Sequence, residues 1–225
     1  MILTGSIVNF FAILAGAVVG LFAGRLLTPK LEKALMGAIG LIVIGISVPG
    51  MMESQNTLVA ILSLVLGTLI GEALDLDRRI NQLGDFLQSK FKGQGKFSEG
   101  FVTASLVFVV GAMAILGGLK SGLQNDHTIL ITKSIIDGIT SIVFASTLGI
   151  GVAFSAIPVF LWQGGIALLA SVVSPVFTDP VMAEISFVGS LLIAAIGTNL
   201  LGITKLKIMN MTPAALLPIV LCHFL

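Results

Sequence analysis

Apolar positions along this chain fall into long unbroken blocks, not into the one-sided or alternating patterns of water-soluble elements. From Gly138 to Thr178, 41 consecutive residues include no Asp, Glu, Lys, Arg or His. A soluble element must show one face to solvent, so it has no use for such a block. A bilayer does, because its hydrocarbon core needs about 20 apolar residues per helical crossing. Two crossings joined at Leu148-Gly149-Ile150-Gly151 fit the block, since glycine takes the backbone angles of a tight turn.

Charges, Gly/Pro clusters and polar runs divide the chain into eight apolar segments, about 5–24, 34–51, 57–74, 101–119, 131–149, 152–174, 184–202 and 208–225. Most match one crossing in length. The last carries Pro213 and Pro218, so seven crossings with a re-entrant C-terminal segment is the alternative. The expected fold is all-α, a polytopic transmembrane helix bundle of about eight helices in a single domain over residues 1–225. The first block lacks a basic leader and stays uncharged to Gly24, longer than a signal-peptide core, which predicts a retained helix.

Basic residues in the connections predict orientation. The first connection holds Arg25, Lys30 and Lys33; the third holds Arg78, Arg79, Lys90, Lys92 and Lys96; the seventh holds Lys205 and Lys207. Both termini outside would put all three in the cytoplasm. Lys120 and Lys133, flanking the fourth connection, do not fit, and Asp126 and Asp137 lie near enough in sequence to pair with them. Within the third connection, Leu76, Ile80, Leu83 and Leu87 recur at helical spacing, which predicts an amphipathic helix over 74–91 at the cytoplasmic interface. KGQGK (92–96) then breaks it before the next crossing.

Composition agrees with a membrane reading and narrows it. Charged residues are 10% of the chain, against roughly 25% in soluble domains, and mean hydropathy is +1.11. No polar stretch is long enough for a second, soluble domain. A net charge of +1 gives no pull toward nucleic acid. The lone Cys222 excludes an internal disulfide, and His127 and His223 have no metal-ligand spacing. No phosphate-binding loop, serine–histidine set or pair of intramembrane aspartates occurs. No cofactor, no metal and no enzymatic activity are expected.

Glycine, 26 residues of 225, marks packing faces. Gly16 and Gly20 in the first segment, and Gly67 and Gly71 in the third, have the four-residue spacing that lets helix backbones approach closely in lipid. Ile44-Gly45, Val110-Gly111 and Ile196-Gly197 are each followed by a further glycine at Gly50, Gly117 and Gly202. That pattern suggests internal repeats in inverted orientation.

Polar residues inside apolar segments are expensive and therefore informative. Asp137 stands out, with Lys133 one helical turn earlier. It either binds a cation or proton on a transport path or forms an anchoring ion pair with Lys133. Asn9, Asn199 and Gln163 either join helices or line the same path. In GAMAILGGLKSGL (111–123) the glycines would let a helix break and expose backbone groups, unless this is an ordinary glycine-rich helix end.

That stretch, together with KSIIDGITSIVFASTLGIGVAFSAIPVFLWQGG (133–165) and IGTNLLGITKLKIMNMTPAALLP (196–218), resembles the bacterial domain-of-unknown-function 554 family, the YqgA-like inner-membrane proteins. The resemblance runs nearly end to end. It implies a multi-pass protein of the bacterial cytoplasmic membrane, of a kind often labelled as transport proteins, with no agreed substrate or catalytic residue to carry over. The reading is a secondary transporter or channel for a small solute or ion, with the lipid bilayer as surroundings and a homo-oligomer as its assembly. The alternative is a non-transporting scaffold or accessory subunit.

Overall fold

The computed structural model describes residues 1–91, 97–110 and 112–224, and among them all regular structure is helical. In chain order the helices are α1 (Thr4–Gly24), α2 (Pro29–Met51), α3 (Thr57–Leu74), α4 (Leu76–Phe91), α5 (Phe97–Val109), α6 (Ala112–Gln124), α7 (Thr128–Leu148), α8 (Gly151–Phe154), α9 (Ala156–Leu168), α10 (Ala170–Val173), α11 (Asp179–Leu200), α12 (Ile208–Met211) and α13 (Pro218–Leu221), with a 3-10 turn at Thr212–Ala215. The chain is an all-α, polytopic membrane protein. Six of its spans are long and apolar enough to cross a bilayer: α1, α2, α3, α7, the run α8–α9, and α11.

Local chemistry sets the breaks. Asp75, in the left-handed region at φ 48°, ends α3 and starts α4 as a separate helix. Gly149, at φ 79°, makes the tight turn after α7, as its position in the sequence predicts. The expected break at KGQGK lies outside the described residues. The fourth apolar segment is not one straight helix: α5 and α6 meet at a 59° bend. The bend falls at the start of GAMAILGGLKSGL, and Gly111 itself lies outside the described residues. Gly117, Gly118 and Gly122 sit within α6, where they admit Leu130, Ile166 and the Ala167 carbonyl instead of breaking the helix.

The eighth segment is a correction to a full crossing. Ile208–Leu221 is split by the 3-10 turn, because Pro213 and Pro218 cannot donate backbone hydrogen bonds. Even as continuous helix it would reach only about 21 Å, short of a core of about 30 Å.

The chain divides into two compact units, one built on α1 and α5–α10, the other on most of α2, α3, α11 and the C-terminal segment. In the first unit α1 lies directly on α7. Gly5 meets Leu130, Gly16 meets the Gly138 carbonyl oxygen, Gly20 that of Ile142 and Gly24 that of Ser146. Each step along α1 is matched by a step in the same sense along α7, so the two helices run parallel. In the second unit the order reverses: Gly67 meets Ala214 and Gly71 meets Asn210, so the C-terminal segment runs back along α3. Gly40 faces Leu201 and Gly197 while Gly50 faces Ser186 and Ser190, so α2 and α11 are antiparallel. The glycine doublets do not act as equivalents, however. Nothing lies within 4 Å of a Cβ at Gly45, whereas Gly197 is pressed against Ile44 and the Gly40 carbonyl.

Parallel α1 and α7 constrain the topology. Two crossings in the same direction must be separated by an odd number of crossings. Between them lie α2, α3 and the bent pair α5–α6; α4 is too polar to cross. If α2 and α3 each cross, this parity requires α5–α6 to count as one further span, the seventh that its length and composition allow. Lys133 drops out of the loop charge count because it is buried. In the connection before α7, the Thr128 backbone N–H holds the Asp126 carboxyl below the usual carboxylate range, with Lys120 and His127 adding to the effect.

Two predictions follow from this packing and topology. Gly20→Leu should destabilise the protein by about 1–3 kcal/mol, the usual cost of overpacking, whereas Gly45→Ala should be neutral or stabilising by up to about 1 kcal/mol; thermal unfolding in detergent reads both. In a Cys222→Ser background, Thr28→Cys and Arg78→Cys should react with a membrane-impermeant thiol reagent from one side, and Gln124→Cys from the other. Labelling of all three from one side would show that α5–α6 re-enters.

Candidate functional site

On α7 the usual distribution of side chains is inverted. Lys133, Ser134, Asp137 and Ser141, three or four residues apart, share one face and are buried. Ile135, Ile136 and Ile139 occupy the other face and are 62%, 51% and 60% exposed. Hydrocarbon around the bundle explains both faces, because apolar side chains lose nothing there and polar ones must turn inward.

The buried face forms a connected cluster in the first unit. Lys133 Nζ donates to both Asp137 oxygens, at 2.7 Å each. Asn9 Nδ2, on α1, donates to Asp137 Oδ2 at 2.9 Å and to Gln163 Oε1, on α9, at 3.1 Å. All four residues are at most 6% exposed. The glycine face of α1 makes this possible: with Gly5 and Gly16 flat against α7, Asn9 between them is carried to within hydrogen-bonding distance of the carboxylate. Phe108, on α5, closes another side, its ring centroid 5.8 Å from Lys133 Nζ. That ring is itself stacked on Phe144 of α7, 6.2 Å between centroids.

Charge orients the two amides. A carboxylate only accepts, so Asn9 must turn its NH2 toward Asp137, which leaves its Oδ1 without a partner. Gln163 must then turn Oε1 toward that NH2, which leaves its Nε2 without one. Ser6 Oγ, one turn before Asn9, and Ser141 Oγ, one turn after Asp137, are also buried and unpartnered. The helices that carry this neutral ion pair thus also carry four buried hydrogen-bonding atoms without partners. Among the described residues, no group of three or more His, Cys, Asp and Glu could hold a metal ion.

Asn199 does not join this cluster. It lies in the second unit, where Oδ1 accepts from Thr204 Oγ1 and the Leu206 N–H and Nδ2 donates to the Leu206 carbonyl, closing the turn after α11. A loop with free backbone groups sits directly ahead of it, and local partners win over distant ones.

Two functional-looking residues were not visible from sequence. Glu184 is wholly buried and accepts from the Gln55 and Asn56 N–H groups at 2.6 and 2.7 Å and from Ser54 Oγ at 3.1 Å. Its place at the start of an apolar run reads as interfacial, because only the fold shows that the α2–α3 connection covers it. Asn210 Oδ1 accepts from the Asp77 N–H at 2.7 Å, capping α4.

The fold and this cluster define a multi-pass membrane protein with a polar centre inside one helix bundle. The chain belongs to the family described as protein of unknown function DUF554, whose model matches residues 4–223. It is 35% identical over 218 residues to the uncharacterized membrane protein YdfK of Bacillus subtilis (strain 168), covering 95% of this chain and 93% of that one. It is 32% identical over 219 residues to the uncharacterized protein YqgA of Escherichia coli (strain K12), with the same coverage. No solved structure matches it.

Removing one member of a buried ion pair leaves the other uncompensated, at about 3–5 kcal/mol. Asp137→Leu and Lys133→Met should therefore each cost about that much, while Lys133→Met/Asp137→Leu should recover most of it. Unfolding of the two single variants and the double variant in detergent gives the cycle; additive losses would show that the charges do not interact.

Proposed function

We propose that this protein is a secondary transporter or channel for a small solute or ion in the bacterial cytoplasmic membrane, with the α1–α7–α9 cluster as its binding centre. The supporting observation is the surplus of hydrogen-bonding capacity around a buried charge pair. A purely structural ion pair has reason to satisfy every neighbour, because an unpaired buried polar group costs about 1–3 kcal/mol. Here Ser6 Oγ, Asn9 Oδ1, Ser141 Oγ and Gln163 Nε2 are all left over. That is the arrangement of a site waiting for a polar occupant. The bend between α5 and α6 supports the same reading, since interrupted helices are the usual means of opening a path at membrane depth.

An outside N-terminus with the basic connections in the cytoplasm is the orientation the charge distribution favours. Because the last segment is short of a crossing, seven crossings put the C-terminal end on the cytoplasmic side and not outside, as eight crossings would have it. Homo-oligomeric assembly belongs to the same proposal, because each compact unit has few helices with which to enclose a pathway. A scaffold or accessory subunit is the second reading, favoured by one observation: Lys133 and Asp137 already neutralise each other.

Reconstitution in liposomes, with flux measured for a panel of ions and small metabolites, separates the two. The parent protein should conduct at least one solute, and Asp137→Asn should lower that flux at least tenfold while eluting normally from size-exclusion chromatography. Unchanged flux in Asp137→Asn removes the carboxylate from the mechanism. Absence of flux for the whole panel favours the scaffold.

A further inference from the structure

Lys133 is held as a bound ligand would be. Its ammonium group meets a carboxylate at 2.7 Å on one side and an aromatic ring at 5.8 Å on another. Carboxylate plus ring face is a recognised way to bind an organic ammonium ion, the first supplying charge and N–H acceptors, the second attraction to the ring's negative face. The ring is fixed by its stacking on Phe144, and the carboxylate by Asn9. Ring and carboxylate thus each have a contact that does not involve the lysine.

We propose that the box formed by Asp137, Phe108 and Asn9 is a site for primary ammonium ions, and that Lys133 is its tethered occupant and competitor. This rests on the transport reading above and names its substrate class: small monovalent cations bearing N–H groups, from ammonium to short alkylammonium ions. Three observations support that class. Three of the four unpartnered atoms on these helices are oxygens (Ser6 Oγ, Asn9 Oδ1 and Ser141 Oγ), acceptors of the kind an N–H-bearing cation needs, and Asn9 belongs to the cluster itself. The fourth, Gln163 Nε2, is a donor and faces no acceptor. The lysine is one turn from its partner on the same helix, so its flexible stem can swing away without moving backbone. The pair is neutral when Lys133 is bound, so a single-charged cation takes its place without adding net charge to the low-dielectric interior provided the displaced lysine reaches water or gives up its proton. A divalent cation or an anion would add charge there.

Chemical rescue tests the site without relying on transport. Lys133→Ala removes the last three carbons and the ammonium, which n-propylammonium chloride replaces. In detergent at pH 7.5, millimolar n-propylammonium should raise the Tm of Lys133→Ala by several degrees, through preferential binding to the folded state. Sodium chloride and tetramethylammonium chloride at equal ionic strength should not, the latter because it has no N–H. Adding Asp137→Asn should abolish the rescue, and adding Phe108→Leu should weaken the apparent affinity at least threefold. If Lys133→Ala does not fold alone, recovery of monodisperse protein in n-propylammonium but not in sodium is the readout. No stabilisation by the amine, or equal stabilisation by sodium, overturns the inference. Flux in liposomes distinguishes this from failure of the transport reading. Rescue without any flux leaves an ammonium site in a non-transporting protein, whereas flux of other solutes without rescue leaves a transporter whose substrate is not an ammonium ion.

Discussion

Solvation by hydrocarbon governs both the exterior and the interior of this protein. Lipid removes the penalty for exposing Phe11, Phe22, Leu69, Ile135 and Ile139, and all five are exposed. It also removes water as a partner for polar groups, so each must find one inside the fold or remain unpaired. Lys133 and Asp137 solve this together. Either charge alone at that depth would cost several kcal/mol, and their mutual contact makes a neutral unit that the bundle can hold.

Close backbone approach is what delivers the other members of the cluster. In lipid there is no hydrophobic drive between helices, so association depends on packing and hydrogen bonds. With Gly16, Gly20 and Gly24 laid on successive carbonyls of α7, the α1 backbone comes close enough for a short asparagine side chain to reach across. A longer side chain at Gly16 would lift α1 away and break the Asn9–Asp137 bond before it disturbed the ion pair itself. Glycine and asparagine on one helix thus act as a single device.

What the sequence revealed followed the range of each interaction. The apolar blocks and the Lys133–Asp137 spacing are local, and both are found in the fold. The proline-interrupted last segment announced its own weakness and is indeed short of a full span. Gathering Asn9, Asp137 and Gln163 from three helices depends on how those helices pack, which periodicity alone does not encode. Asn199 looked equivalent to Asn9 because both sit within apolar runs, yet a free loop backbone captured it. Glu184 did not stand out in the sequence because the connection that buries it lies 128 residues or more away. The glycine doublets that suggest an inverted repeat have different surroundings, close contact at Gly197 and none at Gly45, because glycine serves several ends.

The two buried acids show why one site can be functional and the other is structural. Glu184 is held by backbone N–H groups of the α2–α3 connection, which cannot leave without unmaking that connection. Asp137 is held by two side chains, a lysine on a flexible stem and an asparagine amide, which can change rotamer without backbone movement once another group takes over the charge. Exchange with an outside ligand requires partners that can be released, and only Asp137 has them. It is also Asp137, not Glu184, that has a side-chain countercharge, and under the proposal above displacement of Lys133 would leave a carboxylate able to attract another cation. Burial of a carboxylate marks neither role by itself; the mobility of what neutralises it does.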